Sequence, residues 1–326
     1  MSGEPTTMPG RIRRLAEELA EVGVSFGTLG DPDLLLLTEL DYALRPAVHE
    51  RRAPSFGSIV RATVDPADWP EPTGLAITCR PIDQMPMIAA RRFADGLSSW
   101  LIRGSGPTVL AVFDRSAGSE RDLVVLATVT GATLVQRHPS GMVRAVGSFG
   151  VLRWDGIGWH SEPPVSGWID AVCASRYGDR TVVTKLLEFA VHDLGSRGIG
   201  AILVYQPDDR PGPALQARLA EPPPLRIDKP HDLAPFRHVL AQIDGAAVLD
   251  ATGTLRQLGV RLVPSPLAEA DVEGLRGMRH TAGRRYSFDD PGATVIVVSE
   301  DGPVTVLRNG QVLGRSKPAH VALADD

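Results

Sequence analysis

The chain has 326 residues, 43% hydrophobic and 22% charged, with a formal net charge of −5. That length exceeds the usual single domain, so two domains are expected, and the composition fits globular cores, not a disordered tail. The negative balance argues against a dedicated nucleic-acid binder, although Arg276, Arg279, Arg284 and Arg285 form a local basic cluster.

Residues 1–10 are polar and proline-bearing, and no targeting segment is visible. Residues 11–23 carry Ile12, Leu15, Leu19 and Val22 near helical spacing and predict an amphipathic helix. Residues 31–72 read as irregular and Pro-punctuated, with one helix near 34–44. The apolar run Leu34 to Leu37 stops at Thr38-Glu39, far short of a membrane span. The expectation is a cytoplasmic protein with no membrane partner. Residues 82–103 read as a second helix, interrupted at Pro86 and stopped by Gly104. The period then changes, and 108–113, 123–128, 132–136, 143–148 and 151–154 read as short strands between turn residues. Ser161-Glu162-Pro163-Pro164 reads as a linker closing a first α/β domain, 1–165. Cys79 and Cys173 lie far apart without metal-ligand spacing and are expected to be buried free thiols.

The second domain, 166–326, opens with a helix over 175–193, with Val183, Leu186, Leu187 and Ala190 on one stripe. A β-branched strand follows at 199–205. Residues 206–224 are Pro/Gly-rich loop, with a short helix around 215–219. A helix at 232–242 feeds a strand at 246–249, which turns through Thr252-Gly253 into a strand at 255–262. An acidic helix lies within 265–276, and 293–299 with 304–308 form a hairpin through Asp301-Gly302. The fold class implied is α/β, a mixed sandwich.

Two motifs carry chemistry. Asp244-Gly245-Ala246 opens the 246–249 strand. About thirty residues on, Gly277-Met278-Arg279-His280 begins a cationic turn that continues through Thr281, Arg284 and Arg285 to Ser287. One carboxylate beside a glycine, with a dense Arg/His cluster, suits a site holding a metal ion and a polyphosphate together. Taken alone, an Asp-Gly is more often a turn and an Arg-rich turn a solvated loop. His49, His138, His160, His192, His231 and His238 have no ligand spacing. Trp154, Trp159 and Trp168 read as packing anchors. The stretch Ser196 to Gly200 lacks a Walker lysine and precedes a strand, which excludes a phosphate loop.

Over roughly 180–312 these motifs resemble the diadenylate cyclase (DAC) domain, which condenses two ATP molecules into cyclic di-AMP. That family carries Asp-Gly-Ala and, downstream, Gly-x-Arg-His-Arg-x-Ala, leading to a Ser and a Val-Ser-Glu strand end. Here the matches are Asp244-Gly245-Ala246, then 277–283, Ser287 and Val298-Ser299-Glu300. Two positions depart: Thr281 replaces the second Arg, and Met278 replaces a small hydroxyl residue. The resemblance implies a DAC-like mixed-sheet sandwich using ATP and a divalent cation, Mn²⁺ or Mg²⁺. It implies that Asp244 holds the metal and Gly245 admits the sugar. Arg279 would grip phosphate, and His280 would bond phosphate or metal. It makes Asp244, Arg279 and His280 catalytic, and Gly245, Ala246, Gly277, Thr281, Arg284, Arg285, Ser287 and Glu300 nucleotide-binding. Arg284 or Arg285 would stand in for the Arg lost at Thr281. Because a DAC site is assembled from two facing protomers, self-association is expected. Residues 1–165 resemble the sensor modules found ahead of some DAC domains. A nucleotide-binding sensor with little or no turnover is the alternative.

Overall fold

The computed structural model describes residues 9–26, 31–48, 50–51, 53–82, 84–173, 178–207, 219 and 221–316. The chain divides into two compact units, Met1–Pro164 and Val165–Asp326. Among the described residues, no helix is long and apolar enough to cross a membrane.

In the first unit, α1 (Gly10–Glu21) and α2 (Asp31–Leu44) precede β1 (Phe56–Val60). A short α3 (Pro70–Thr73), β2 (Ile77–Pro81) and α4 (Met87–Ala90) follow, then β3 (Ser99–Arg103) and β4 (Val109–Phe113). After α5 (Glu120–Thr130), the chain runs through β5 (Thr133–Arg137), β6 (Val143–Gly147), β7 (Gly150–Trp154) and β8 (Trp159–Glu162). The described strands form an eight-stranded sheet in the order β2-β4-β3-β1-β5-β6-β7-β8. Only β1 and β3 pair in parallel; the remaining ladders are antiparallel. The α1/α2 layer buries Leu15, Leu19, Leu37 and Leu40 with Phe56 and Leu101. The opposite face packs Trp69, Trp100, Leu123 and Leu126.

Charge inside this unit is paired, as desolvation demands. Glu39, fully buried, is held by Arg91 at 2.8 Å and by Arg103. Buried Glu120 accepts two hydrogen bonds from Arg153, at 2.6 and 2.5 Å.

Five expectations fail. The stretch 123–128, β-branched enough to suggest a strand, lies within α5. Ser119 and Asp122 form a reciprocal capping box there, and Gly131 takes the left-handed conformation at the other end, so the end signals override residue preference. The helix expected over 82–103 is a single turn at α4. Asp95 accepts backbone N–H bonds from Leu97, Ser98 and Ser99, folding a tight turn that launches β3. The stretch read as irregular contains β1, and part of the expected linker belongs to β8. Finally, Cys79 is exposed on the edge strand β2 and Cys173 half-buried.

In the second unit, α6 (Ser166–Cys173) and α7 (Arg180–Glu188) lead into a π-helical turn, Phe189–Leu194, and then β9 (Ala201–Tyr205). Next come α8 (Pro230–Leu240), β10 (Ala246–Leu249) and β11 (Leu255–Val260). The unit ends with α9 (Pro266–Asp271), α10 (Met278–Asp289), β12 (Thr294–Val298), β13 (Val304–Arg308) and β14 (Gln311–Arg315). The described strands run β11-β10-β9-β12-β13-β14, with β9 and β10 parallel and the other pairs antiparallel. Alternate strand residues face opposite layers. Leu203, Ala247, Ile296 and Val306 pack with Leu186, Leu187, Phe189 and Phe236. Ile202, Ala246, Val295 and Val297 pack with Tyr286 of α10. That helix lies close to the sheet because Gly283 has no side chain. A Cβ there would stand 3.0 Å from Val297 and 3.2 Å from Val295.

The expected mixed α/β class is what the molecule has. The cationic turn, however, is the helix α10, and the acidic helix is only the six residues of α9. The helix expected around 215–219 falls outside the described residues except for Leu219. Residues 175–177, at the start of the helix expected over 175–193, and His49 lie outside them too.

Candidate nucleotide-binding site

Strand register brings the two motifs to one end of the second sheet. Ala246 pairs with Ile202, and Ile202 with Val297; one step back, Ala201 pairs with Val298. Carried past the ladders, Asp244, Gly200 and Ser299 lie just beyond the paired ends of β10, β9 and β12. The first turn of α10 meets this end as well. Arg279 donates to Glu300 at 2.9 Å, and a Cβ on Gly200 would overlap the Arg279 guanidinium. Gly200, Arg279 and Glu300 thus meet at the sheet end from which Asp244 and Gly245 lead into β10.

Each residue has a definite setting. Asp244 is exposed and makes no hydrogen bond or ion pair among the described residues. Gly245 has φ 109°, and a Cβ would lie 2.7–3.0 Å from the backbone of Gly259 and Val260. The glycine is therefore demanded by the close approach of β11. Ala246 is fully buried. Gly277, φ 98°, turns the chain into α10, whose first N–H groups face outward from an uncapped end. His280 is buried with Nε2 unpartnered, and burial, reinforced by the nearby Arg315 guanidinium, holds its ring below the ordinary imidazole range. A neutral imidazole is the form able to accept a hydrogen bond or a cation.

The remaining motif residues face inward. Thr281 Oγ1 accepts from the Leu275 N–H at 3.0 Å and donates to the Leu275 carbonyl at 2.8 Å, bracing the loop before α10. Arg284 is spent on the carbonyls of Gly310 and Glu273, at 2.8 and 3.0 Å. Arg285 Nε donates to the Val272 carbonyl at 3.2 Å. Ser287, fully buried, donates to the Arg284 carbonyl and accepts from the Gly310 N–H. These four side chains shape α10 and its neighbouring loops, whereas Asp244, Arg279 and Glu300 present groups at the surface. Sequence reasoning passed over Gly200, dismissing its stretch as a failed phosphate loop. Its signal was the glycine immediately before a buried strand.

A resident cation needs a donor set. Among the described residues, no three His, Cys, Asp or Glu side chains converge on one point. The site therefore fits a hard cation held by one carboxylate, Asp244, together with substrate phosphates and water, the usual arrangement for Mg²⁺. It does not fit a cage built from protein alone.

Comparison with known proteins gives two domain matches. Residues 13–162 match the family described as "Probable sensor domain DACNK". Residues 188–312 match the DAC family, described as "DisA bacterial checkpoint controller nucleotide-binding". No curated protein matches the chain. Among solved structures, it is similar to a hypothetical membrane spanning protein from Bacillus cereus, at 21% identity, covering 44% of this chain and 67% of that one, with a TM-score of 0.32. It is also similar to a double mutant of DacA from Staphylococcus aureus, at 20% identity over 42% of this chain and 87% of that one, TM-score 0.27. Residues 188–312 are thus a DAC domain, and a DACNK-type domain at 13–162 lies ahead of it.

Proposed function

We propose that the second unit is a diadenylate cyclase that condenses two ATP molecules into cyclic di-AMP and two pyrophosphates. The 3′-oxygen of each ATP attacks the α-phosphorus of the other. Each attack breaks one bond to pyrophosphate and releases the hydroxyl proton to solvent. The observation that carries this reading is the convergence of Asp244, Gly200 and the Arg279–Glu300 pair at one open sheet end.

Such chemistry depends chiefly on positioning and on neutralising phosphate charge. Arg279 is suited to bind phosphate oxygens through its planar fork, exchanging its surface partner Glu300 for the nucleotide. The outward N–H groups at the start of α10 favour anions in the same place. Asp244 would hold the divalent cation, Mn²⁺ or Mg²⁺, which when bound lowers the barrier by screening phosphate charge and acidifying the hydroxyl. His280 is a buried acceptor behind this edge. Met278, 90% exposed beside Arg279, offers an apolar contact for a facing protomer, so self-association belongs to this reading. The first unit would act as its regulator by changing how protomers pair.

A second reading has its own support. Thr281 cannot supply the missing guanidinium, and Arg284 and Arg285 are already engaged with main-chain carbonyls. A domain short of one phosphate contact would bind nucleotide and turn over slowly, acting as a nucleotide sensor.

The test is incubation of the purified chain with ATP and Mn²⁺ or Mg²⁺, with chromatography for cyclic di-AMP and Asp244→Asn alongside. Product from the wild type alone is the expected result. Bound but unconverted ATP in both proteins would replace the cyclase with the sensor.

A further inference from the structure

The first unit contains a cavity of about 1070 Å³, built at a single end of its sheet. Its floor is the carboxyl end of the parallel pair β1 and β3, where Val60 pairs with Arg103 and, on the other side, with Thr133 of β5. In mixed and parallel sheets, the crevice beyond such strand ends is a recurrent ligand position. The β6–β7 turn, with Ser148 and Phe149, forms one wall. The segment after α1 and the start of α2 close the other, contributing Phe26, Asp33 and Leu36.

The backbone at the floor is unusual. Arg61 has φ 60°, a left-handed conformation that costs a non-glycine residue about 1–3 kcal/mol and gathers at functional sites. It is locked by a hydrogen bond from its N–H to the Arg103 carbonyl at 2.7 Å. Two charged side chains line this cavity, Arg61 exposed and Asp33 half-buried. Neither Arg61 nor Asp33 forms an ion pair or a side-chain hydrogen bond among the described residues, with each other or with anything else.

We infer that this cavity binds a small zwitterion, an amino acid or short peptide. Its carboxylate meets Arg61 and its ammonium group meets Asp33, while its side group lies among Phe26, Leu36 and Phe149. An anion alone would be repelled by Asp33 and a cation alone by Arg61; a dipolar ligand satisfies both. Ser105, Thr133 and Ser148 supply neutral hydrogen-bonding groups around it. The cavity exceeds one amino acid in size, which leaves both the free amino acid and the short peptide as sources of the same chemistry. This inference rests on reading the first unit as a sensing module.

The experiment is isothermal titration calorimetry of the full chain, without ATP, using L-phenylalanine and trialanine as probes. Each is also titrated as its N-acetylated and its C-amidated form. The expected result is saturable binding of at least one free zwitterion, weakened about tenfold or more by either cap. Arg61→Met should abolish discrimination between acid and amide, and Asp33→Asn that between free and acetylated amine. Saturation by a capped probe as tight as by the free one, or no binding of either zwitterion, overturns the inference. The capped ligands test it on the wild-type protein, so a poorly folded variant leaves it falsifiable. Cyclic di-AMP production is assayed separately. A chain that binds the zwitterion but makes no product refutes the cyclase and keeps the cavity; product without binding does the reverse.

Discussion

Each unit holds one parallel strand pair inside an otherwise antiparallel sheet, and each leaves one end of that pair open and seals the other. In the first unit the carboxyl ends of β1 and β3 are open. Their amino ends are closed by Gln136, whose Nε2 donates to the Gly96 and Gly118 carbonyls at 2.7 and 2.9 Å. In the second unit the polarity is reversed. The carboxyl ends of β9 and β10 are sealed by Tyr205, which accepts from the Asp179 N–H and donates to the Ala251 carbonyl. Gln206 completes the seal through Tyr286 and Asp290, at 3.0 and 2.9 Å. The candidate site occupies the amino ends instead. On the proposed readings, the two candidate sites thus lie at opposite ends of the parallel pairs, each at the end away from its hydrogen-bonded plug.

The largest effect that sharpens this contrast lies at the open end of the second sheet. Asp244→Asn is expected to remove cyclic di-AMP formation, read by chromatography, while circular dichroism and thermal melting stay unchanged because the side chain holds nothing in place. Next, Arg279→Ala should lower kcat/KM for ATP about 10- to 100-fold, the loss of one charge-assisted phosphate contact worth about 1.5–3 kcal/mol. An unaltered kcat/KM would place the phosphates elsewhere. Gly245→Ala tests where open end becomes structure. The added methyl meets backbone of β11 at a φ hostile to side chains, and a loss of about 1–3 kcal/mol in urea unfolding is expected. No change in midpoint would mean the β10–β11 approach is looser than described.

The smallest effect lies in the β7–β8 turn of the first unit. Partial burial alone would raise the Asp155 carboxyl, but the Gly158 and Ile157 N–H groups and the His160 ring pull it down to about 2. Its folded value thus lies below its unfolded one. The stability it contributes is present above the ordinary carboxylate range and disappears as pH falls toward about 2. Asp155→Asn should flatten that limb of the acid-unfolding curve by a few tenths of a kcal/mol, scaled down for solvent screening. An unchanged curve would show the turn carries no linked stability.

The sequence disclosed the second unit more fully than the first, for physical reasons. The β9 and β12 runs are β-branched and buried on both faces, and the Asp301-Gly302 turn marks their hairpin partner, so local preference and tertiary setting agree. In the first unit α5 is rich in valine and threonine, and only its caps identify a helix. Turns such as the one around Asp95 depend on side-chain acceptors that periodicity does not register. Within the candidate site, the motif named Asp244, Arg279 and Glu300 but could not tell which cations are engaged with main-chain carbonyls. Arg284 and Arg285 were available to bind phosphate in the sequence; in the fold they hold the carbonyls beside α10. That choice is made by the angle of a helix against its sheet, which no residue type encodes.

Gly200 carries a consequence of its own. The nearest atoms that an alanine's added carbon would meet there belong to the movable end of Arg279 and the Glu300 stem. A methyl group at this position would therefore push the guanidinium away from the sheet. On the proposed cyclase reading, phosphate affinity would be set partly by an absence, and a single carbon atom placed under Arg279 would act as a tuning screw for the nucleotide.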